Sequence, residues 1–381
     1  MVIQQTKKLH DAIIVGSGLH GLSTALHLAR AGLKVLVLEK DYPGRHASGV
    51  NAGGVRRLGR HFAEVPLSVQ SLKVWQNIED LVDDDCGFSS CGQALIAETE
   101  TEYADLKARV RDLQQRGFDH EELIGPDELR SLVPALSDQC AGAIWCREDG
   151  AANPFRTVRA FHRKVLGLGT TVECNAAVTG IKRSGKNWQV QSTRGVFEAH
   201  VLINTAGAWG GEVSRLIGDF APVTAAAPML MITERVSPFL KPVIGAAGRV
   251  LSFKQFDNGT VLIGGGHLGQ AKPDENLAQI SFDGVRKSAK TVSALFPQLA
   301  NVQIVRSWAG IEGVMPDAIP VIGASAVEDN AFHAFGFSAH GFQLGPIVGR
   351  IMSDLVVSGS SDLPTDAFRI ERFSDPAKPA A

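Results

Sequence analysis

The feature that most constrains the fold is the stretch DAIIVGSGLHGLSTALHLARAGLKVLVLEK at residues 11–40. An apolar, β-branched run at residues 11–15 suits a strand buried inside a parallel sheet. Gly16, Gly18 and Gly21 follow in G-x-G-x-x-G spacing, and an apolar helical run starts near Leu19 and ends at Gly32, read as its C-cap. Each glycine has a separate task. The first allows the tight bend, the second lets backbone approach a pyrophosphate, and the third lets helix pack on strand. Phosphates would then rest over the free N–H groups and positive dipole end of that helix. Residues 34–38 read as a second strand, and Glu39 ends it with a carboxylate placed to accept from ribose hydroxyls. That carboxylate would repel an NADP 2′-phosphate. A glycine-rich turn alone is a weak signal, but strand, helix, second strand and terminal glutamate in sequence describe a dinucleotide cradle. They leave open whether a mobile nicotinamide or a resident flavin occupies it.

The rest of the composition narrows the class. A chain of 381 residues suits one large or two intermediate domains. Charged residues make up 20% and the net charge is −2, so no global field recruits nucleic acid or anionic lipid. The N-terminal MVIQQTKKLHD lacks an apolar h-region and no apolar run approaches bilayer length, so a cytoplasmic protein is expected. Five cysteines do not describe a disulfide framework. Cys86/Cys91 and Cys140/Cys146 lack C-x-x-C spacing and have apolar neighbours, so they read as small buried hydrophobes rather than metal ligands. No H-E-x-x-H, Walker A or nucleophile-elbow pattern occurs.

Along the chain, residues 64–83 and 101–116 carry apolar residues at helical spacing, and residues 125–136 suit a short helix between prolines. Residues 93–99 read as a strand. Residues 187–209 alternate like a β-meander and then become the continuous apolar run VLINTAG. Residues 248–269 form a hairpin about Asn258-Gly259. The Pro/Ala tail at residues 374–381 reads as frayed. The passage from βαβ to mixed β and back argues for two domains that share crossing segments.

Four further segments carry a family likeness: VLINTAGAWGGEV (201–213), SWAGIEGVMPDAIPVIG (307–323), HAFGFSAHGFQLGPIVGRIMSDLV (333–356) and EDGAANPFRTVRAF (148–161). With the N-terminal loop they span nearly the whole chain, and the sequence resembles the FAD-dependent D-amino-acid oxidase superfamily. The likeness is to its glycine oxidase, sarcosine oxidase and opine or hydroxyproline dehydrogenase branch. This resemblance implies an α/β fold with a doubly wound, Rossmann-like FAD-binding domain and a substrate domain on a mixed, mainly antiparallel sheet. The FAD domain would comprise residues 1–85, 150–218 and 312–381, and the substrate domain 86–149 and 219–311. It implies cofactor contacts at Gly16, Gly18, Leu19, His20 and Gly21, then at Glu39 and Lys40 on the second strand end. Further contacts follow at His46, Ala47, Ser48, Gly53 and Gly54, and at Val178, Ala206, Gly207 and Trp209. The last group is Gly310, Ala339, Gly341, Phe342 and Gln343. The physics agrees: NTAGAW ends a strand in small residues that can close over the pyrophosphate or ribose. SAHGFQLGP offers N–H groups at a helix start, suited to negative charge on the flavin's pyrimidine end. A nicotinamide enzyme needs only the first of these three sites, so a resident FAD is expected.

On the substrate side, small residues 47–49, 53 and 54 would allow close approach to the isoalloxazine. His46 lies where some related dehydrogenases bond flavin covalently; here it reads as a hydrogen-bonding loop residue with non-covalent FAD. Arg56, Arg57 and Arg60 are the cations nearest a substrate carboxylate, which guanidinium grips bidentately; the match to the family arginine falls on Arg56 or Arg57. His267 and His340 are the candidate imidazoles for orienting a substrate amine or accepting its proton. With only Tyr42 and Tyr103 in the chain, no catalytic tyrosine is expected. The family pattern breaks elsewhere. Glycine oxidase-like relatives have an arginine at Glu312 and another near Ala339. Sarcosine oxidase-like relatives have a lysine at Gln343 and a flavin-linking cysteine near Gly310. Glu312 could attract a cationic part of a larger substrate, or pair with Arg306 or another cation.

The implied chemistry is oxidation of the carbon–nitrogen bond of an amino acid, or of an N-substituted or imino amino acid such as an opine, hydroxyproline or sarcosine-like compound. Hydride would pass to flavin N5, the imine would hydrolyse, and oxygen or another acceptor would take the electrons. Two alternatives stay open: a 2-hydroxy-acid dehydrogenase of the same fold, and a flavin-carrying subunit within a hetero-oligomeric dehydrogenase.

Overall fold

The structure is a computed structural model describing residues 9–373, so the tail at 374–381 lies outside the described residues. Two eight-stranded sheets organise it. The first is built around the strand Leu9–Val15, which pairs in parallel with Val35–Leu38 on one side and Gly195–Asn204 on the other. Thr171–Glu173 and Ala331–Phe335 extend it, also in parallel. Ala12 and Ile14 face a core shared with the helices Leu19–Arg30, Pro154–Gly167 and Gly341–Ser358. Ile13 and Val15 face a second core with Trp188, Val190 and Val213. Burial on both faces is why this run is continuously apolar instead of alternating. The meander forms as Val178–Ser184, Asn187–Ser192 and Gly195–Asn204, and the last strand runs on into the parallel sheet.

The second sheet is antiparallel except for one parallel pair, Gln93–Ala97 with Val243–Ala246. Its central hairpin, Ser252–Gln255 with Thr260–Gly264, turns through Asn258 and Gly259, the latter at φ 88°. Side chains alternate across these strands. Ala94, Ile96, Phe253 and Ile263 pack into a core with Val292 and Leu295 of the helix Phe282–Leu295. Leu95, Leu230 and Ser252 point the other way and line a cavity between the sheets.

Three details depart from the sequence reading. Residues 64–83 are two helices, Val65–Gln76 and Ile78–Val82. Asn77 leaves the helical region at φ −125° and its amide donates to the Lys73 carbonyl, ending the first helix. The charged helix runs Glu100–Gln115, one residue early, because the Thr99 hydroxyl accepts from the Glu102 N–H as its N-cap. Cys86, Cys140 and Cys146 are buried as expected, but Cys91 is only partly so. No described helix is long and apolar enough to cross a membrane.

Candidate active site

The glycine loop closes under close crossing contacts. Gly16 sits at φ 101°, and a Cβ there would lie 2.7 Å from the Thr205 carbonyl oxygen. A Cβ on Gly21 would lie 2.1 Å from the Gly16 oxygen and 2.6 Å from Thr205 Oγ1. The single Thr205 hydroxyl is shared between the carbonyls of Val15 and Gly16, at 3.0 and 2.9 Å, binding the end of the strand Gly195–Asn204 to the loop. The Leu19 N–H, at the helix start, is met by Ser48 Oγ at 2.9 Å. Glu39 is pre-oriented: the Ser17 N–H and hydroxyl donate to one oxygen and the Asp41 N–H to the other. Lys40 Nζ lies 2.9 Å over the Trp209 ring, and burial draws its ammonium down to about 8 against the pull of Glu39 and Glu212.

Gly16, Leu19, Glu39, Lys40, Ser48, Thr205 and Trp209 line one cavity of about 610 Å³ that runs from the glycine loop to the second sheet, well within the range of ligand clefts. Of the cofactor contacts expected from sequence, only Gly21 and Gln343 fall outside its lining. Gly21 serves packing beneath the loop. Gln343 is buried and turned away: its side chain accepts from Arg60 Nη2 at 3.0 Å and donates to the Ser68 carbonyl. A cradle that backbone alone can fill, a helix start and a ribose acceptor fit an adenine dinucleotide. The turn before the helix Gly341–Ser358, expected at its far end, has its Ala339 N–H taken by Glu312 and its His340 N–H by the Phe337 carbonyl. Ser338 and Ala339 are consecutive left-handed residues, at φ 49° and 70°, a conformation that costs about 1–3 kcal/mol each and persists where surroundings enforce it. The Ala339 N–H is thereby aimed at Glu312, which accepts from it.

His46 lines the cavity with both ring nitrogens engaged. Nδ1 faces the Ile311 N–H at 3.4 Å, and Nε2 lies 2.7 Å from Asn276 Oδ1. Burial pulls its imidazole down to about 4, so the neutral ring accepts at Nδ1 and donates from Nε2. Asn276 in turn donates to Asp41.

The arginine trio separates cleanly. Arg57 does not line the cavity. Its Nε and backbone N–H donate to Asp149, which is fully buried, and Nη2 lies 3.1 Å from Glu148. Arg60 is buried, donating to the carbonyls of Arg56 and His340 and to Gln343. Arg56 alone of the three lines the cavity; its Nη1 donates to the Leu58 carbonyl, and no carboxylate is within ion-pair distance among the described residues. The histidines expected over the flavin also miss the cavity. His340 Nδ1 is drawn to 2.9 Å from buried Glu64 and donates to that carboxylate as a brace for the turn, while burial lowers the pKa of the ring. His267 is beside Gly284 of the helix Phe282–Leu295, because the paired glycines 265 and 266 turn the chain away from the chamber before it.

Lys254 escaped the sequence reading. It sits mid-strand in the central hairpin, 7% exposed, with Nζ 4.9 Å from the Phe256 ring centroid and no carboxylate partner among the described residues. Burial pulls its ammonium from 10.5 to about 8. A lowered lysine pKa destabilises the fold below about pH 8 and stops doing so as pH rises to the unfolded value. The shift corresponds to about 3 kcal/mol. Lys254→Met is therefore expected to raise the Tm at pH 7, with the gain shrinking as thermal melts move towards pH 10.

A dinucleotide cleft leading into a chamber walled by a second sheet fits a nucleotide-dependent oxidoreductase. The chain belongs to the FAD dependent oxidoreductase family, whose model matches residues 11–355. It is similar to the beta chain of sarcosine oxidase from Rhizobium meliloti, at 27% identity over 96% of this chain and 89% of that protein. It is also similar to an opine oxidase subunit of Rhizobium meliloti, at 26% identity over 95% of this chain and 97% of that one. The fold matches the crystal structure of glycine oxidase from Geobacillus kaustophilus with a TM-score of 0.88 and 22% identity, covering 96% and 99% of the two chains. The protein is thus an FAD-dependent oxidoreductase.

Proposed function

We propose that this enzyme oxidises the carbon–nitrogen bond of an amino acid, or of an N-substituted or imino amino acid, whose carboxylate is held by Arg56. The observation that carries the reading is the sorting of the arginines: Arg57 and Arg60 are committed to the protein, and Arg56 lines the cavity with no carboxylate within ion-pair distance among the described residues, Glu64, Asp149 and Glu121 acting on it from further off. A guanidinium in that state recognises a carboxylate bidentately. Bound FAD supplies the two-electron acceptor. Gly53 and Gly54 keep the wall low where substrate must approach, and Leu95, Leu230, Ile244 and Leu251 keep it apolar, which excludes water and strengthens the ionic anchor. The imine product hydrolyses on release.

Arg56→Ala is expected to raise KM for the amino acid by roughly 100-fold, about 3 kcal/mol, with the visible FAD spectrum retained; an unchanged KM removes Arg56 from this role. Release of ammonia or amine on a substrate panel separates this reading from 2-hydroxy-acid oxidation. The relatives named as subunits of sarcosine oxidase and opine oxidase support a second element, that the chain works beside partner subunits. Turnover by the isolated chain with an artificial dye, compared with oxygen, tests it.

A further inference from the structure

Glu312 occupies a cavity wall in a state that a carboxylate rarely keeps without a partner. It begins the strand Glu312–Val314, opposite Ala226, and its side chain reaches the helix-start turn, where it accepts from the Ala339 N–H. No cation is within ion-pair distance among the described residues, and Arg306 lies over Trp308 instead. Burial pushes the Glu312 carboxyl up to about 7, opposed only by that one N–H. Neither Arg56 nor any other guanidinium or ammonium among the described residues offsets the cost, although Arg56 lines the same cavity. A desolvated, unpaired carboxylate is unfavourable until a cation reaches it. A metal ion would require more anionic ligands, and no group of three or more His, Cys, Asp or Glu that could hold one occurs among the described residues.

We propose that Glu312 is a specificity site for a second, distal cation on the substrate, so that the preferred substrates are amino acids or N-substituted amino acids carrying a guanidinium or ammonium group away from the oxidised nitrogen. The proposal rests on Arg56 holding the carboxylate end. Glu312 supplies a second pole in the same cavity, and a zwitterionic ligand with its charges set apart satisfies both. Uncharged side chains of the same length leave the carboxylate unpaired, which costs affinity more than the lost contact alone.

The test uses FAD-loaded enzyme and isothermal calorimetry under anaerobic conditions, with the N-carboxyethyl derivatives of arginine and of citrulline, which match in shape and differ in charge. The arginine derivative is expected to bind at least about tenfold tighter. Glu312→Gln should bring the two affinities together without altering the flavin spectrum, and Glu312→Ala, read the same way, guards against a packing defect peculiar to glutamine. An unchanged preference in both variants overturns the proposal, as does loss of FAD from both, which would make Glu312 a cofactor residue. Affinity of the citrulline derivative judges the carboxylate anchor separately: if it binds and Arg56→Ala weakens it, that anchor stands even where the cation site fails.

Discussion

Gly21→Ala is expected to yield a colourless protein. The added methyl would sit 2.1 Å from the Gly16 carbonyl oxygen and 2.6 Å from Thr205 Oγ1. Both neighbours are fixed, the first by backbone and the second by its bonds to Val15 and Gly16. The helix must therefore lift from the strand, and the phosphate cradle opens with it. Overpacking of this kind costs about 1–3 kcal/mol before the cofactor is counted, and lost closure at a phosphate site adds to it. Titration of apoprotein with FAD, followed by fluorescence quenching, should show affinity reduced by at least roughly 100-fold. Gly32→Ala is the control. Nothing lies within 4 Å of its Cβ position, so it meets only the left-handed φ of 86°, about 1–2 kcal/mol, and should stay yellow. Wild-type affinity in Gly21→Ala would mean that this close crossing does not seat the cofactor.

The second large effect is expected at Asp149. The carboxylate is 0% exposed and accepts from the N–H groups of Arg57 and Leu58, at 2.7 and 2.9 Å, and from Arg57 Nε at 3.0 Å. Asp149→Ala strands a nearly buried guanidinium and two amides at once, and removing one partner of such a pair costs about 3–5 kcal/mol. A fall in Tm of about 4–6 °C should follow. The same residues hold the segment that presents Arg56, so substrate affinity should fall as well. Asp149→Asn keeps one acceptor oxygen and should lie between. A Tm within about 1 °C of wild type, roughly 1 kcal/mol or less, would show that Arg57 finds a substitute in Glu148.

Most of the cofactor side was legible because local rules write it. Glycine spacing, the glutamate closing the second strand and the small residues after Asn204 are each consequences of backbone approaching a phosphate or a crossing strand. The substrate side was written in tertiary contacts. Arg56, Arg57 and Arg60 are the same residue type within five positions, and only the buried carboxylate from residue 149 and the helix start at 341 decide which one remains free. His340 was drawn off by Glu64, a residue 276 positions away that carried no signal beyond a helix start. Lys254 was hidden inside a hairpin whose turn dominated the reading. Glu312 was noticed as a break in pattern, but its lack of a cation is a fact of packing that no linear spacing reveals.

The parallel sheet draws its strands from positions as far apart as Leu9 and Phe335. Ribosomes deliver those strands in order, so the glycine loop emerges early and waits, its crossing strand at Gly195–Asn204 absent and its last parallel neighbour later still. Such long-range closure is slow and leaves apolar edges exposed meanwhile. The nascent chain thus has no full pigment-binding clamp to fold around until the strand Ala331–Phe335 has emerged, and vitamin supply acts late, as a rivet.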